Sequence, residues 1–157
     1  MENVAILVDV QNVYYTVRQT YGRNFDYNRF WAHVSQGRRV VAAFAYAIDR
    51  GDIKQREFQN ILRAIGFEVK LKPFIQRADG SAKGDWDVGI TIDALEQTAD
   101  ADVVVLVSGD GDFEPLVQTL RQNHQKCVEV YGVPPLTAAS LMNAADKFMA
   151  IDEQLLL

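Results

Sequence analysis

The chain has 157 residues, 48% hydrophobic and 24% charged, which excludes a disordered or fibrous polypeptide and predicts one domain over residues 1–157. The formal net charge of -5 excludes a protein that coats nucleic acid by bulk charge alone. The charge is unevenly spread: residues 1–83 hold 13 basic and 8 acidic side chains (+5), and residues 84–157 hold 3 and 13 (-10). An anionic ligand beside a cation site fits that split, and so does an ordinary solvated surface.

Strands and helices alternate along the chain. Val4-Ala-Ile-Leu-Val8 is a short, continuous apolar run, as in a strand buried on both faces, and it ends at Asp9. Residues 13–20 and 27–35 read as helices separated by the turn-prone Tyr21-Gly-Arg-Asn24. Arg39–Tyr46 reads as a second buried strand. Over 54–65 the spacing places Phe58, Ile61, Leu62 and Ile65 on one helical face, and Gly66 ends that helix. Residues 67–71 alternate like a third strand, and 72–84 form the most loop-like stretch. A helix over 86–98 is expected to bury Val88, Ile92, Leu95 and Ala99. Val103–Val107 is the clearest strand, followed by a helix to about Asn123 and a strand at Cys127–Tyr131. A short helix near 136–144 and a strand near 147–151 complete the pattern. The fold class is therefore α/β: a mostly parallel sheet between helical layers, with ligands expected beyond the strands' carboxyl ends where strand order reverses.

The single cysteine, Cys127, forms no internal disulfide and reads as a buried strand residue. No signal-peptide pattern and no apolar run of spanning length are present, so a cytoplasmic protein without a membrane partner is expected.

Carboxylates gather at the strand ends. Asp9 leaves the first strand with Asn12 three residues on; alone, it reads first as a turn or helix cap and second as a metal ligand or general base. Asp110 and Asp112 follow the strongest strand in Ser108-Gly-Asp-Gly-Asp-Phe113. The glycines would let both carboxylates approach one point, and oxygen-rich clusters suit Mg²⁺ or Mn²⁺, not zinc. A capping role for Asp112 leaves Asp110 unexplained. Asp85 and Asp87 open a helix, where the dipole favours acids, and Asp87 is also placed to reach the sheet rim. Asp93, six positions on, faces elsewhere and has a supporting place. Arg77 and Lys83 lie in the loop that delivers Asp85 and Asp87, where they could meet a phosphodiester backbone. Tyr14, Tyr15 and Tyr21 either stack on bases or pack their helix.

Other chemistries lack their residues. No phosphate loop or Gly-x-Gly-x-x-Gly is present, so no nucleotide cofactor is expected. His33 and His124 stand in polar helical contexts, and one cysteine cannot build a zinc cluster. Ser108 lacks the nucleophile elbow of serine hydrolases.

Asp9-Val-Gln-Asn12, Lys83-Gly-Asp-Trp-Asp-Val88, Ser108-Gly-Asp-Gly-Asp-Phe113 and Ser140–Phe148, taken in order, resemble the NYN domain, and within it the LabA-like branch of the PIN-like nuclease superfamily. The resemblance implies a Rossmann-like α/β/α sandwich and a divalent-cation site (Mg or Mn) of Asp9, Asp87, Asp110 and Asp112. It implies that Asn12 orients Asp9 or a metal-bound water, that Ser108 supports the turn, and that Lys83 contacts phosphate. Trp86 would stack on a base or pack. The implied activity is metal-dependent hydrolysis of RNA. Two other readings stand beside it: an RNA- or protein-binding regulatory module of the same fold, and a haloacid-dehalogenase-like phosphatase, which wants an acid where Gln11 stands. Leu155-Leu-Leu157 is expected to pack on its own chain or on a second copy in a homodimer.

Overall fold

A computed structural model of the chain describes residues 1–73 and 85–157, and the backbone of 75–76 and 82–83. Six strands form one sheet: β1 (Glu2–Asp9), β2 (Arg38–Asp49), β3 (Glu68–Pro73), β6 (Val103–Val107), β7 (Cys127–Gly132) and β8 (Lys147–Ala150). Two short strands, β4 (Ile75–Gln76) and β5 (Ala82–Lys83), pair antiparallel within the stretch expected to be a loop. The order in the main sheet is β3-β2-β1-β6-β7-β8, and every pairing is parallel. Strand order therefore reverses between β1 and β6, the two strands followed by the acidic motifs.

The apolar runs sit where burial on both faces demands them: β6 is buried throughout, and β1 is buried from Val4 onward. Alternation divides each strand between two cores. Val4, Ile6 and Val8 pack under α1 (Val10–Tyr21), α2 (Tyr27–Ser35) and α3 (Ile53–Ile65). Leu7, Val104 and Leu106 pack under α4 (Asp87–Glu96), α5 (Glu114–Gln122) and α6 (Ala139–Ala144). The result is an α/β/α sandwich. Among the described residues, no helix is long and apolar enough to cross a membrane.

The structure departs from the expected pattern in three places. On α3 the buried side chains are Gln59 and Leu62, while Ile61 is exposed. On α4 the expected stripe faces outward: Val88 is 70% exposed, and Ile92, Leu95 and Ala99 are exposed with it. Ile90 and Ala94 are the buried pair. The segment is apolar at 88, 90, 92, 94 and 95, so periodicity alone cannot choose a face. Polar tethers choose it. Asp93 accepts hydrogen bonds from the Tyr46 hydroxyl (2.8 Å) and Lys70 Nζ (2.7 Å), and Trp86 Nε1 donates to the Ala47 carbonyl (2.9 Å). Third, α1 begins at Val10, directly after Asp9, three residues earlier than expected.

The chain's end packs on its own core. Leu155 and Leu156 are buried against the α1–α3 side, and Leu156 bridges to Phe25. Cys127 is half-buried at the start of β7, and burial raises its thiol pKa, which does not suit a nucleophile.

A partly buried ion pair near the amino end of the sheet links non-adjacent strands. Arg38, opening β2, donates to both carboxylate oxygens of Glu129 on β7 at 3.0 and 2.6 Å, and also reaches Glu2. Glu129 is buried, so removing its partner strands a charge. Arg38→Ala should cost about 3–5 kcal/mol in urea unfolding, and the paired change Arg38→Met with Glu129→Leu should recover most of it. A loss below ~1 kcal/mol in Arg38→Ala would show the pair to be solvated in solution.

Candidate metal centre

The end of β1 presents Asp9 at the N-terminus of α1, yet its side chain does not cap that helix. The carboxylate turns to the α4–α5 side of the sheet. There Asp9 Oδ2 accepts a hydrogen bond from Ser108 Oγ at 3.1 Å. The same hydroxyl oxygen accepts from the Asp110 backbone N–H at 3.2 Å. Ser108 is buried and sits one residue beyond β6, so a single side chain ties the ends of β1 and β6 together. Asn12 adds a second tie, its Oδ1 accepting from the Gly109 N–H at 2.9 Å.

Asp110 caps the 3₁₀ turn Gly111–Phe113 by accepting from the Asp112 N–H at 2.9 Å. The capping role falls to Asp110, and α5 starts behind Phe113 without a side-chain cap. Neither glycine of this loop has a positive φ. They are required by close packing instead: a Cβ on Gly109 would lie 2.7 Å from the Leu136 carbonyl, and one on Gly111 would lie 2.8 Å from the Ala138 Cβ. The segment at 136–138 therefore clamps the acidic loop from behind, and the Ala138 N–H donates to the Gly109 carbonyl.

Asp87 arrives from α4. Trp86 packs at a tilt against Tyr46 at 5.3 Å between centroids, Lys72 Nζ lies 4.5 Å over the Trp86 ring, and the same ammonium donates to the Asp85 carbonyl. A Cβ on Gly89 would fall 2.5 Å from the Trp86 ring, so glycine lets the indole lie against the helix. Trp86 thus has a packing job. Asp93 tethers α4 farther along, and Asp85 Oδ1 accepts from the Asp87 N–H at 3.3 Å.

The outcome is convergence. One carboxylate oxygen each from Asp87, Asp110 and Asp112 lies within 4.8 Å of the others, a set able to hold a cation through oxygen alone. Asp9 stands beside this trio, joined through Ser108. Among the described residues no basic side chain forms an ion pair with Asp9, Asp85, Asp87, Asp110 or Asp112. The crowding shows in their acidity. Burial raises the Asp9 pKa to about 6, opposed by hydrogen bonds from the Ser108 hydroxyl and the Asn12 backbone N–H, and assisted by the charges of Asp110 and Asp85. Asp87 rises to about 7 through burial, then through a hydrogen bond to Asp110 and the charges of Asp110, Asp85 and Asp9.

Lys83 and Arg77 were expected to meet phosphate; the Lys83 side chain and all of Arg77 lie outside the described residues. Tyr21 donates its hydroxyl to the Ile151 carbonyl, a packing role, while Tyr14 and Tyr15 are exposed. The sequence reading missed Tyr46, Lys70 and Lys72 as the residues that orient α4. No motif marks them, because they act through the third dimension.

Comparison with known proteins agrees with this geometry. The sequence model of the NYN domain matches residues 3–152. The low amplitude and bright protein LabA of Synechococcus elongatus is 29% identical, with 96% of this chain and 84% of that protein covered. An uncharacterised protein of Methanocaldococcus jannaschii is 26% identical over 96% of this chain and 56% of its own length. The crystal structure of a Vibrio parahaemolyticus protein of unknown function is 62% identical and superposes with a TM-score of 0.95, covering 99% of this chain and 96% of that one.

The raised acidities make a pH prediction. An unfolded Asp9 ionises near 3.8 and the folded one near 6, so the metal-free native state holds a proton that the unfolded chain has released. The associated stability is complete below about pH 4 and is lost as pH rises through about 6. In EDTA at pH 8, Asp9→Asn should therefore be more stable than the natural chain by up to about 3 kcal/mol, with the advantage gone at pH 4. Thermal melts of both proteins from pH 4 to 8 check this; an advantage that does not change with pH contradicts it.

Proposed function

We propose a function from one premise: this chain belongs to the NYN-domain family. Its best-supported reading is a nuclease that hydrolyses phosphodiester bonds in RNA at the aspartate cluster. The observation that carries it is the meeting of Asp87, Asp110 and Asp112 at the point where strand order reverses, with no basic partner among the described residues. Unpaired carboxylates held this close are costly unless a cation joins them.

The donor set is all oxygen, which suits Mg²⁺ or Mn²⁺ and not zinc. Such an ion would lower the pKa of a coordinated water and take up charge on the scissile phosphate. Asp87, Asp110 and Asp112 would hold it, and Asp9 would complete the set from β1 or accept a proton from the attacking water. Ser108 keeps Asp9 and Asp110 in register by bonding to both. Asn12 fixes the loop at Gly109. Lys83 and Arg77, which precede α4 in the sequence, are assigned to the phosphate backbone. Asp85 and Asp93 support the site by positioning α4.

Asp110→Asn and Asp9→Asn should each lower cleavage of a single-stranded RNA in Mn²⁺ by ~100-fold or more while the circular dichroism spectrum is retained, and Ser108→Ala should cost about 10-fold. RNA that binds the natural chain but is never cut in Mg²⁺ or Mn²⁺ would replace the enzyme with a regulatory binding module. Cleavage by Asp110→Asn at the natural rate would end the reading altogether.

A further inference from the structure

The aspartates do not line the cleft on the other side of the sheet. A cleft of about 960 Å³ opens on the α1–α3 side, between the first turns of α1, the end of β2 and the start of α3. Val10 and Gln11 line it and directly follow Asp9, so the two sites share the carboxyl end of β1. Its volume is that of pockets which enclose a drug-sized molecule, ~300–1,000 Å³.

The cleft is largely apolar but holds two polar groups without partners. Gln59 is only 5% exposed and lies on the buried face of α3, where an apolar residue would pack better. Its amide has no hydrogen bond within the described structure. Tyr27 is 8% exposed, lines the same cleft, and its hydroxyl is likewise unpaired. Neither group is sealed from solvent, since no sealed side-chain polar atom among the described residues lacks a partner. Both residues line the cleft, so a ligand there is placed to pair with them. A carboxamide offers a donor and an acceptor side by side, which complements the donor and acceptor edge of a nucleobase. Tyr14 and Tyr15 line the cleft half-exposed and pack edge-to-face at 5.4 Å, so that one ring braces the other for stacking on a flat ligand. Lys54 adds a cation at the rim. A fatty chain would leave Gln59 and Tyr27 unpaired, and it would gain nothing from Lys54.

We propose that this cleft binds an unpaired nucleobase, with Gln59 and Tyr27 reading its edge and Tyr14, braced by Tyr15, covering its face. The assignment rests on the nuclease reading and deepens it: a strand with one phosphate at the aspartates lays a neighbouring base over the end of β1 into this cleft.

The test uses the full chain in EDTA, titrated with adenosine 5′-monophosphate, uridine 5′-monophosphate and ribose 5-phosphate by heteronuclear NMR and calorimetry. At least one base-bearing nucleotide should bind tenfold or more tightly than ribose 5-phosphate and shift the resonances of Gln59 and the α1 start. Gln59→Leu and Tyr14→Ala should each weaken it about fivefold or more, with the melting temperature of Gln59→Leu not lowered. Equal affinity for ribose 5-phosphate, an unchanged Gln59→Leu, no nucleotide binding at millimolar concentration, or a cleft filled by a second copy of the chain would each overturn the proposal. If nucleotides bind as stated while no preparation cuts RNA, the nuclease reading fails and the cleft stands; if RNA is cut and Gln59→Leu changes nothing, the cleft fails alone.

Discussion

The carboxylates of Asp9, Asp87 and Asp110 repel one another, and the parallel pairing of β1 with β6 holds them together nonetheless. Much else in the structure serves that confinement. Ser108 bonds to both strand ends, Asn12 pins Gly109, and the segment at 136–138 presses so closely on the acidic loop that only glycine fits at 109 and 111. On the other side, Trp86, Lys72, Tyr46 and Asp93 lock α4 so that Asp87 cannot swing away. A fold that invests this many contacts in keeping like charges adjacent gains most when a cation enters.

The sheet also separates two kinds of surface at one edge. On the α4–α5 side, the strand ends meet polar loops and the site is acidic. On the α1–α3 side, the same ends border an apolar cleft with unpaired polar groups. Asp9 and Val10 mark the division: one ends β1 facing the acids, the other begins α1 facing the cleft. On the proposed reading, a ligand with an anionic chain and flat, hydrogen-bonding rings would use both surfaces at once, and single-stranded nucleic acid is such a ligand.

Most of the architecture was legible because the strands are short, continuous apolar runs, and each acidic motif follows one of them or opens a helix. β6 and β7 could be read almost to the residue, β1 runs beyond the expected Val4–Val8 at both ends, and strand-helix alternation indicated a parallel sheet. The inward face of α4 could not be read. Val88, Ile92, Leu95 and Ala99 form as regular a stripe as Ile90 and Ala94, and what decides between them is a hydroxyl on β2 and an ammonium on β3. The acidic residues were visible as motifs, but their division of labour was not. Asp110, not Asp112, caps the turn, and the two glycines serve close packing and not a left-handed turn. Gln59 was also hidden: the spacing of α3 put Phe58, Ile61, Leu62 and Ile65 on one face, and only the packed structure shows Ile61 exposed and the Gln59 amide buried.

The central claim is that these aspartates form a cation site. The direct measurement is a crystal soaked in Mn²⁺ with anomalous data collected at the manganese edge. A peak bounded by oxygens of Asp87, Asp110 and Asp112, at coordination distances of about 2.1–2.3 Å and with Asp9 joined directly or through water, is the expected result. Carboxylates turned apart and paired with lysine or arginine, with no anomalous peak between them, would contradict it.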